Sequence, residues 1–438
     1  MIAYINMAKP KPRHDHGPLN FPEGFLWGAA TSAYQVEGGN IYSDWGNQAG
    51  KAADQYHLYE QDFDLAKSLN HNAQRLSIEW SRIEPKEGAF DEEEIQHYIK
   101  VLKALKSANF TVMLTLWHFT LPKWVADKGG WENGQTPKYF ERFVKRIVPE
   151  IGEFVDLWIT INEPGVYIYE TYIAREWPNS KKSLPGQVKT FFNLVSAHKR
   201  VYKFLHQSFP ARNATHSVAG GPASKPIGIA NNIMSFEPYH KHSIMEQIAV
   251  ILNDIIGNHL FYLFTKGTHD FLGINYYFHS RLRHKGLIPE KIGSTTTHDV
   301  SDLGWEIYPQ GLFDVLTDLS DDIPIYITEC GIASTNDDRR NRFLIMYLQE
   351  VARAIKAGVN VRGFFYWSLI DNFEWHLGFD PRFGLVEVDY STQKRTPRPS
   401  AKVYADIIKH NGIPHSLLRF IGHTIQASEV LEKRANEK

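Results

Sequence analysis

The stretch WITINEPGVY, residues 158–167, begins as an apolar alternation and then sets Asn162, Glu163 and Pro164 where the chain leaves the interior. Burying a carboxylate beside an amide costs free energy unless partners compensate. Taken alone, the triplet reads equally well as a turn cluster that closes a strand. What recurs around it decides. VDLWITINE (155–163) is one of eight short apolar runs rich in β-branched and aromatic residues. The others are FLWGAAT (25–31), NAQRLSIEW (72–80), TVMLTLWH (111–118), PIGIANNI (226–233), DFLGINYY (270–277), IPIYITECG (323–331) and RGFFYWSLI (362–370).

Between the runs lie segments whose apolar residues recur at three- and four-residue spacing, among them DQYHLYEQDFDLAKSLN, EEEIQHYIKVLKALKSAN and RNRFLIMYLQEVARAIKAG. Asn70 and Gly358 fit the stops of the first and last. Near-continuous apolar strands alternating with helices predict a parallel sheet covered on its outside. Eight such units predict an α/β fold, a single-domain (β/α)8 TIM barrel. No glycine-rich phosphate fingerprint follows the first run, which disfavours a nucleotide-binding sheet. The expected division is a flexible arm over 1–18, a catalytic barrel over 19–413 and a C-terminal appendage over 414–438. FPARNATHSVAGGPASKP (209–226) reads as a surface connection.

The 438 residues carry 48 Lys and Arg against 49 Asp and Glu, a balance with no basic field for nucleic acid or an acidic membrane. A neutral small molecule is the expected partner. Aromatic residues make up 13% of the chain, and indole and phenol rings stack on sugar faces as well as filling cores. A single cysteine, Cys330, excludes an intrachain disulfide and suits a cytoplasmic location. No apolar run reaches signal-peptide length at the N-terminus or eighteen uninterrupted residues elsewhere, so no membrane partner is expected.

In a TIM barrel the C-terminal strand ends form the active face. Reading those ends collects Gln35 and Glu37, Arg75 with Glu79 and Trp80, His118, Asn162 and Glu163, Asn275 and Tyr277, Glu329, and Trp367 with Asp371, Glu374 and Trp375. Glu163 and Glu329 come from strands four and seven, which a closed barrel sets across from each other. Two facing carboxylates can divide glycosidic cleavage between attack on the anomeric carbon and protonation of the leaving oxygen. Amides, an imidazole and indoles around them suit an uncharged polyol. No cofactor and no metal are expected: HDH (14–16) lies ahead of the first strand, HKH (240–242) has no better claim, and no second histidine shares the strand of His118.

FLWGAATSAYQVEGG, RLSIEWSRIEP, TLWHFTLPKW, WITINEP, DFLGINYY, GWEIYPQGL, YITECGI and YWSLIDNFEW…GFDPRFGLVEVDY together resemble glycoside hydrolase family 1, the β-glucosidase type family, over about residues 19–413. The resemblance implies a retaining β-glycosidase. Glu163 matches the acid/base and Glu329 the nucleophile. Gln35, His118, Asn162, Glu374 and Trp375 match positions that hold the hydroxyls of the non-reducing sugar, with Asn162 on the 2-hydroxyl. Trp367 matches the indole beneath that sugar. Arg75, Asn275 and Tyr277 match residues that orient the nucleophile, and Trp305 matches a wall of the leaving-group subsite.

The expected substrates are unphosphorylated β-D-glucosides, with β-galactosides and β-fucosides open, since a carboxylate at 374 repels a 6-phosphate. A retaining pair implies carboxyl groups about 5 to 5.5 Å apart. The alternatives are a catalytically weak sugar-binding protein on the same barrel and a 6-phospho-β-glycosidase. Two departures from the family pattern bear on the site. Cys330 replaces the usual Asn after the nucleophile, and reads as a buried inert thiol. The segment between strands five and six is shortened, predicting either simple repacking or an apolar groove and mobile stretch open to a hydrophobic small molecule.

Overall fold

The computed structural model describes residues 19–209, 225–284, 290–292, 299–320 and 323–421. The arm 1–18 with its HDH motif, most of the predicted connection 209–226 and the end of the appendage lie outside the described residues. Eight parallel strands form the centre: β1 Leu26–Ala30, β2 Ala73–Ser77, β3 Thr111–Thr115, β4 Leu157–Asn162, β5 Ile227–Pro238, β6 Phe271–Arg283, β7 Ile325–Cys330 and β8 Val361–Trp367. Their order is β5-β4-β3-β2-β1-β8-β7-β6, and pairing of β5 with β6 closes the ring. The predicted TIM barrel is therefore present.

Eight helices alternate with the strands: α1 Gln55–Ser68, α2 Glu92–Ser107, α3 Thr136–Ile151, α4 Leu184–Ser208, α5 Ile244–Phe264, α6 Pro309–Asp318, α7 Asp337–Lys356 and α8 Pro399–His410. Side chains start them where the sequence offers caps. Asp91 accepts from the amides of Glu93 and Glu94, and Asn336 from those of Asp338 and Arg339. Asn70 and Gly358 stand just beyond α1 and α7 with φ of 64° and 99°, the left-handed exit that ends a helix.

Met113, Leu157, Ile159, Phe271 and Phe365 pack together inside the ring. This plug fills the N-terminal side of the barrel, so only the C-terminal strand ends remain hollow. The packing is tight enough to select residues: a Cβ at Gly228 would lie 2.5 Å from the Phe271 ring. A two-residue pairing of Leu19–Asn20 with Gly412–Ile413 ties the start of the barrel to the segment after α8.

Two features differ from expectation. The sequence pattern ends strands five and six at 233 and 277, but β5 and β6 run on past a bulge between Ile233 and Ser235 and stay paired as far as Pro238 and Leu282. Charge hides this extension from an apolar pattern. His279 stands between Glu237 and Glu306, and Arg281 joins the same pair of carboxylates. The second feature is α5. It contains a π-turn at Ile255–His259. By length and composition it is apolar enough to cross a membrane, and only 17% of its most apolar stretch is buried. The shortened segment is thus a helix packed by one side, with its apolar outer face open.

Candidate active site

Strand β4 delivers the first carboxylate through a backbone that few residues adopt. Pro164 opens a short helix, Pro164–Tyr169, and its ring disfavours a right-handed helical conformation for the residue before it. Glu163 takes φ 43° and ψ 62°, left-handed for a residue with a side chain, a strain that structure sustains at sites of function. Glu329 leaves β7 just before Gly331, where any Cβ would collide with the Trp367 carbonyl. That close approach explains the glycine of the TE-G motif and keeps Glu329 beside the indole of β8.

Both carboxylates line one hollow that opens to solvent. Gln35, His118, Tyr277, Trp305, Trp367, Glu374 and Trp375 line it with them. Arg75, Asn162 and Asn275 stand one layer behind. Arg75 Nη1 donates to Glu329 Oε1, and its Nη2 donates to Asn162 Oδ1 at 2.7 Å. Asn275 Nδ2 donates to Glu163 Oε1 at 2.7 Å and to Asn162 Oδ1 at 3.1 Å, while its own carbonyl oxygen accepts from Thr328 at 2.6 Å. The Tyr277 hydroxyl donates to Glu329 Oε2 at 2.8 Å.

The two carboxylates differ in surroundings. Burial pushes Glu163 up to about 8, and the nearby Glu329 charge adds to the effect, with Asn275 opposing it. Burial raises Glu329 as well, but Arg75 and the Tyr277 hydroxyl pull against it. Of the pair, Glu329 is the better placed to hold negative charge and Glu163 the proton. Burial and the Glu329 charge lift Glu374 to about 8. Burial, then Arg75, hold His118 well below the usual imidazole range, so the ring is neutral.

The buried polar atoms of the lining that make no hydrogen bond among the described residues include Gln35 Oε1 and His118 Nδ1. Gln35 Nε2 is fixed by Asn372 Oδ1 and the Phe373 carbonyl, and His118 Nε2 lies 3.2 Å from Asn162 Nδ2. Buried polar groups are rarely left unmatched. An acceptor and a donor held ready on the wall suit a ligand carrying hydroxyls.

The family model for glycosyl hydrolase family 1 matches residues 18–262 and 239–413, the two stretches overlapping on α5. This chain belongs to glycosyl hydrolase family 1. A β-glycosidase structure from Pyrococcus horikoshii is 36% identical with a TM-score of 0.86, covering 94% of this chain and 100% of that one. A family 1 β-glucosidase structure from Thermotoga maritima is 28% identical with a TM-score of 0.81, covering 91% and 99%. A 1,4-β-D-glucan glucohydrolase of Thermotoga neapolitana is 29% identical over 90% of this chain and 99% of its own length. The family 1 chain is a glycoside hydrolase of the retaining β-glycosidase type.

Several strand-end residues of the family 1 chain do not reach the hollow. Glu37 pairs with Arg82. Glu79 accepts from Thr120 and Ser81 and caps the turn at Trp80–Ile83. Trp80 packs on Phe143, and Asp371 is held by Arg398 and Arg382. Their alternation with site residues gave no sign of this, because only the closed ring decides which side chains point inward. Conversely, Asn232 of β5 lines the hollow beside Glu163, together with Phe278, Phe383, Glu170 and Trp177. The strand-end rule applies to Asn232 in IANNI and would have found it. Cys330 is fully buried, burial drives its thiol well up, and the bonds of Arg75 and Tyr277 to Glu329 are intact beside it.

Proposed function

We propose that this chain hydrolyses unphosphorylated β-D-glucosides, and β-galactosides or β-fucosides with the same machinery, by double displacement in the cytoplasm. Glu329 attacks the anomeric carbon while Glu163 gives its proton to the departing oxygen. The bond to the leaving group breaks and a glycosyl ester forms on Glu329. Esterification consumes the charge that helped raise Glu163, so Glu163 then ionises and takes a proton from the attacking water. Arg75 and Tyr277 aim Glu329, and Asn275 aims Glu163. Gln35 Oε1 and His118 Nδ1 receive sugar hydroxyls, Trp367 supports the ring and Trp305 flanks the leaving group.

The observation that carries this reading is the unequal setting of two carboxylates in one hollow. A cation and a phenol serve one, and burial beside a negative charge serves the other. The glycone follows from charge. Among the described residues the lining holds no lysine or arginine to receive a phosphate, and Glu329 carries negative charge there.

A panel of p-nitrophenyl β-glucoside, β-galactoside, β-fucoside and 6-phospho-β-glucoside tests it. Highest kcat/KM on an unphosphorylated glycoside is expected. Preference for the 6-phosphate overturns the glycone assignment, and glucose binding without turnover of any member makes the chain a sugar-binding protein.

A further inference from the structure

The outer face of α5 is apolar and the barrel makes no use of it. Ile244, Ile248, Ile251, Leu252 and Ile256 are exposed there, Ile244 to 71% and Ile256 to 65%. The two carboxylates of the helix are withdrawn from this face. Glu246 is buried and accepts from the backbone and ring of His240, while Asp254 pairs with His259, which Asp318 holds from the other side. The exposed charges that flank the helix are cations, Lys241 before it and Lys266 after it. Helix α4 continues the pattern. Leu184, Val188 and Phe192 are exposed, Lys182 and Lys189 stand among them, and Phe192 meets Phe264 of α5 with ring centroids 5.3 Å apart. Exposed apolar patches of this extent mark interaction surfaces.

We propose that the face formed by α5 and the first turns of α4 docks on an anionic lipid surface. The helix lies along the barrel in this arrangement and does not span a bilayer, because β5 ends at Pro238 just before it and β6 begins at Phe271 just after it. Lysines around an uncharged apolar strip match what a headgroup layer offers: acyl chains for the isoleucines and phosphate for the ammonium groups. A second copy of the chain matches less well. Antiparallel pairing of two α5 helices would set Lys241 of one copy near Lys266 of the other with no exposed carboxylate of the helix to separate them. The face also reaches the rim of the hollow. Tyr172 bonds Thr190 of α4 at 2.8 Å, and the neighbouring Tyr169 and Ile173 are exposed beside the lining residue Glu170.

Co-sedimentation of the full chain with vesicles of mixed phosphatidylglycerol and phosphatidylcholine, and of phosphatidylcholine alone, tests the proposal. Expected are binding to the mixed vesicles, weakening with salt, and poorer binding to phosphatidylcholine. Ile248→Glu and Ile251→Glu should each lower partitioning by about tenfold or more, the worth of one buried aliphatic side chain. Lys241→Glu should remove the preference for the anionic vesicles. All three should turn over p-nitrophenyl β-glucoside as the parent does, which shows that they fold. Failure of the parent to bind either vesicle, or binding indifferent to Ile251→Glu, overturns it. A dimer in sedimentation velocity that Ile251→Glu splits, without vesicle association, assigns the face to a second copy.

Discussion

Asn275 donates to Glu163 at 2.7 Å and is the β-ladder neighbour of Glu329. One amide on β6 therefore sets the positions of carboxylates arriving from β4 and β7. Removing it should disturb the proton donor without unfolding the barrel. Asn275→Ala is expected to lower kcat/KM by roughly 10- to 100-fold, the range for a hydrogen bond to a charged or charge-developing group. Because Asn275 lowers Glu163, the basic limb of the pH profile should also move upward. An unchanged profile would reduce Asn275 to a packing residue.

The two glutamates are separated by stereochemistry. Glu329→Ala should abolish turnover, and azide should restore it with an α-glycosyl azide as product, because the small nucleophile enters from the face that the carboxylate has left. Glu163→Ala with an activated leaving group should give the β-glycosyl azide, because Glu329 still forms the ester. Proton NMR of the two products decides, and exchanged configurations would reverse the roles.

Loss of the proton donor should cost rate in proportion to the basicity of the leaving group. Glu163→Gln is expected to slow alkyl β-glucosides by about 10²- to 10⁴-fold, the usual range for general acid catalysis, and dinitrophenyl β-glucoside far less. Equal losses on both would count against proton donation.

The same group makes stability depend on pH. Its folded value, about 8, lies above the ordinary 4.5, so the folded chain holds a proton that the unfolded chain releases between these values. The stabilisation is complete below the lower value and is lost as pH rises through the upper one. Glu163→Gln should flatten this dependence and melt above the parent at pH values beyond 8. Thermal unfolding across the window measures it.

Tyr277→Phe removes one of the donors that keep Glu329 charged. The acidic limb of kcat/KM should shift to higher pH, with a loss of roughly 10- to 100-fold at the optimum. Lower activity with an unmoved limb would mean that the hydroxyl serves the substrate alone.

Much of this site was legible before any coordinates. The near-continuous apolar runs placed eight strands, and the rule that barrels act at their C-terminal strand ends brought Glu163 and Glu329 into one frame. The same rule cannot tell inward from outward at a given end. Glu37, Glu79 and Asp371 share the chemistry of the site residues but are held by Arg82, Thr120 and Arg398. The continuations of β5 and β6 escaped because Glu237, His279 and Arg281 satisfy one another across the ladder and look polar one by one. For helix α5 the sequence left repacking and an open apolar groove as alternatives. An apolar segment reads as core, and only the packing shows which side of it the barrel covers.

The prolonged pairing of β5 with β6 gives one flank of the hollow the stiffness of a sheet. Asn232 and Phe278 stand on it at a height fixed by hydrogen bonds between main chains. A leaving group seated against this flank would then meet a rigid parapet, whose fit would change by exchanging the side chains mounted there rather than by reshaping a loop.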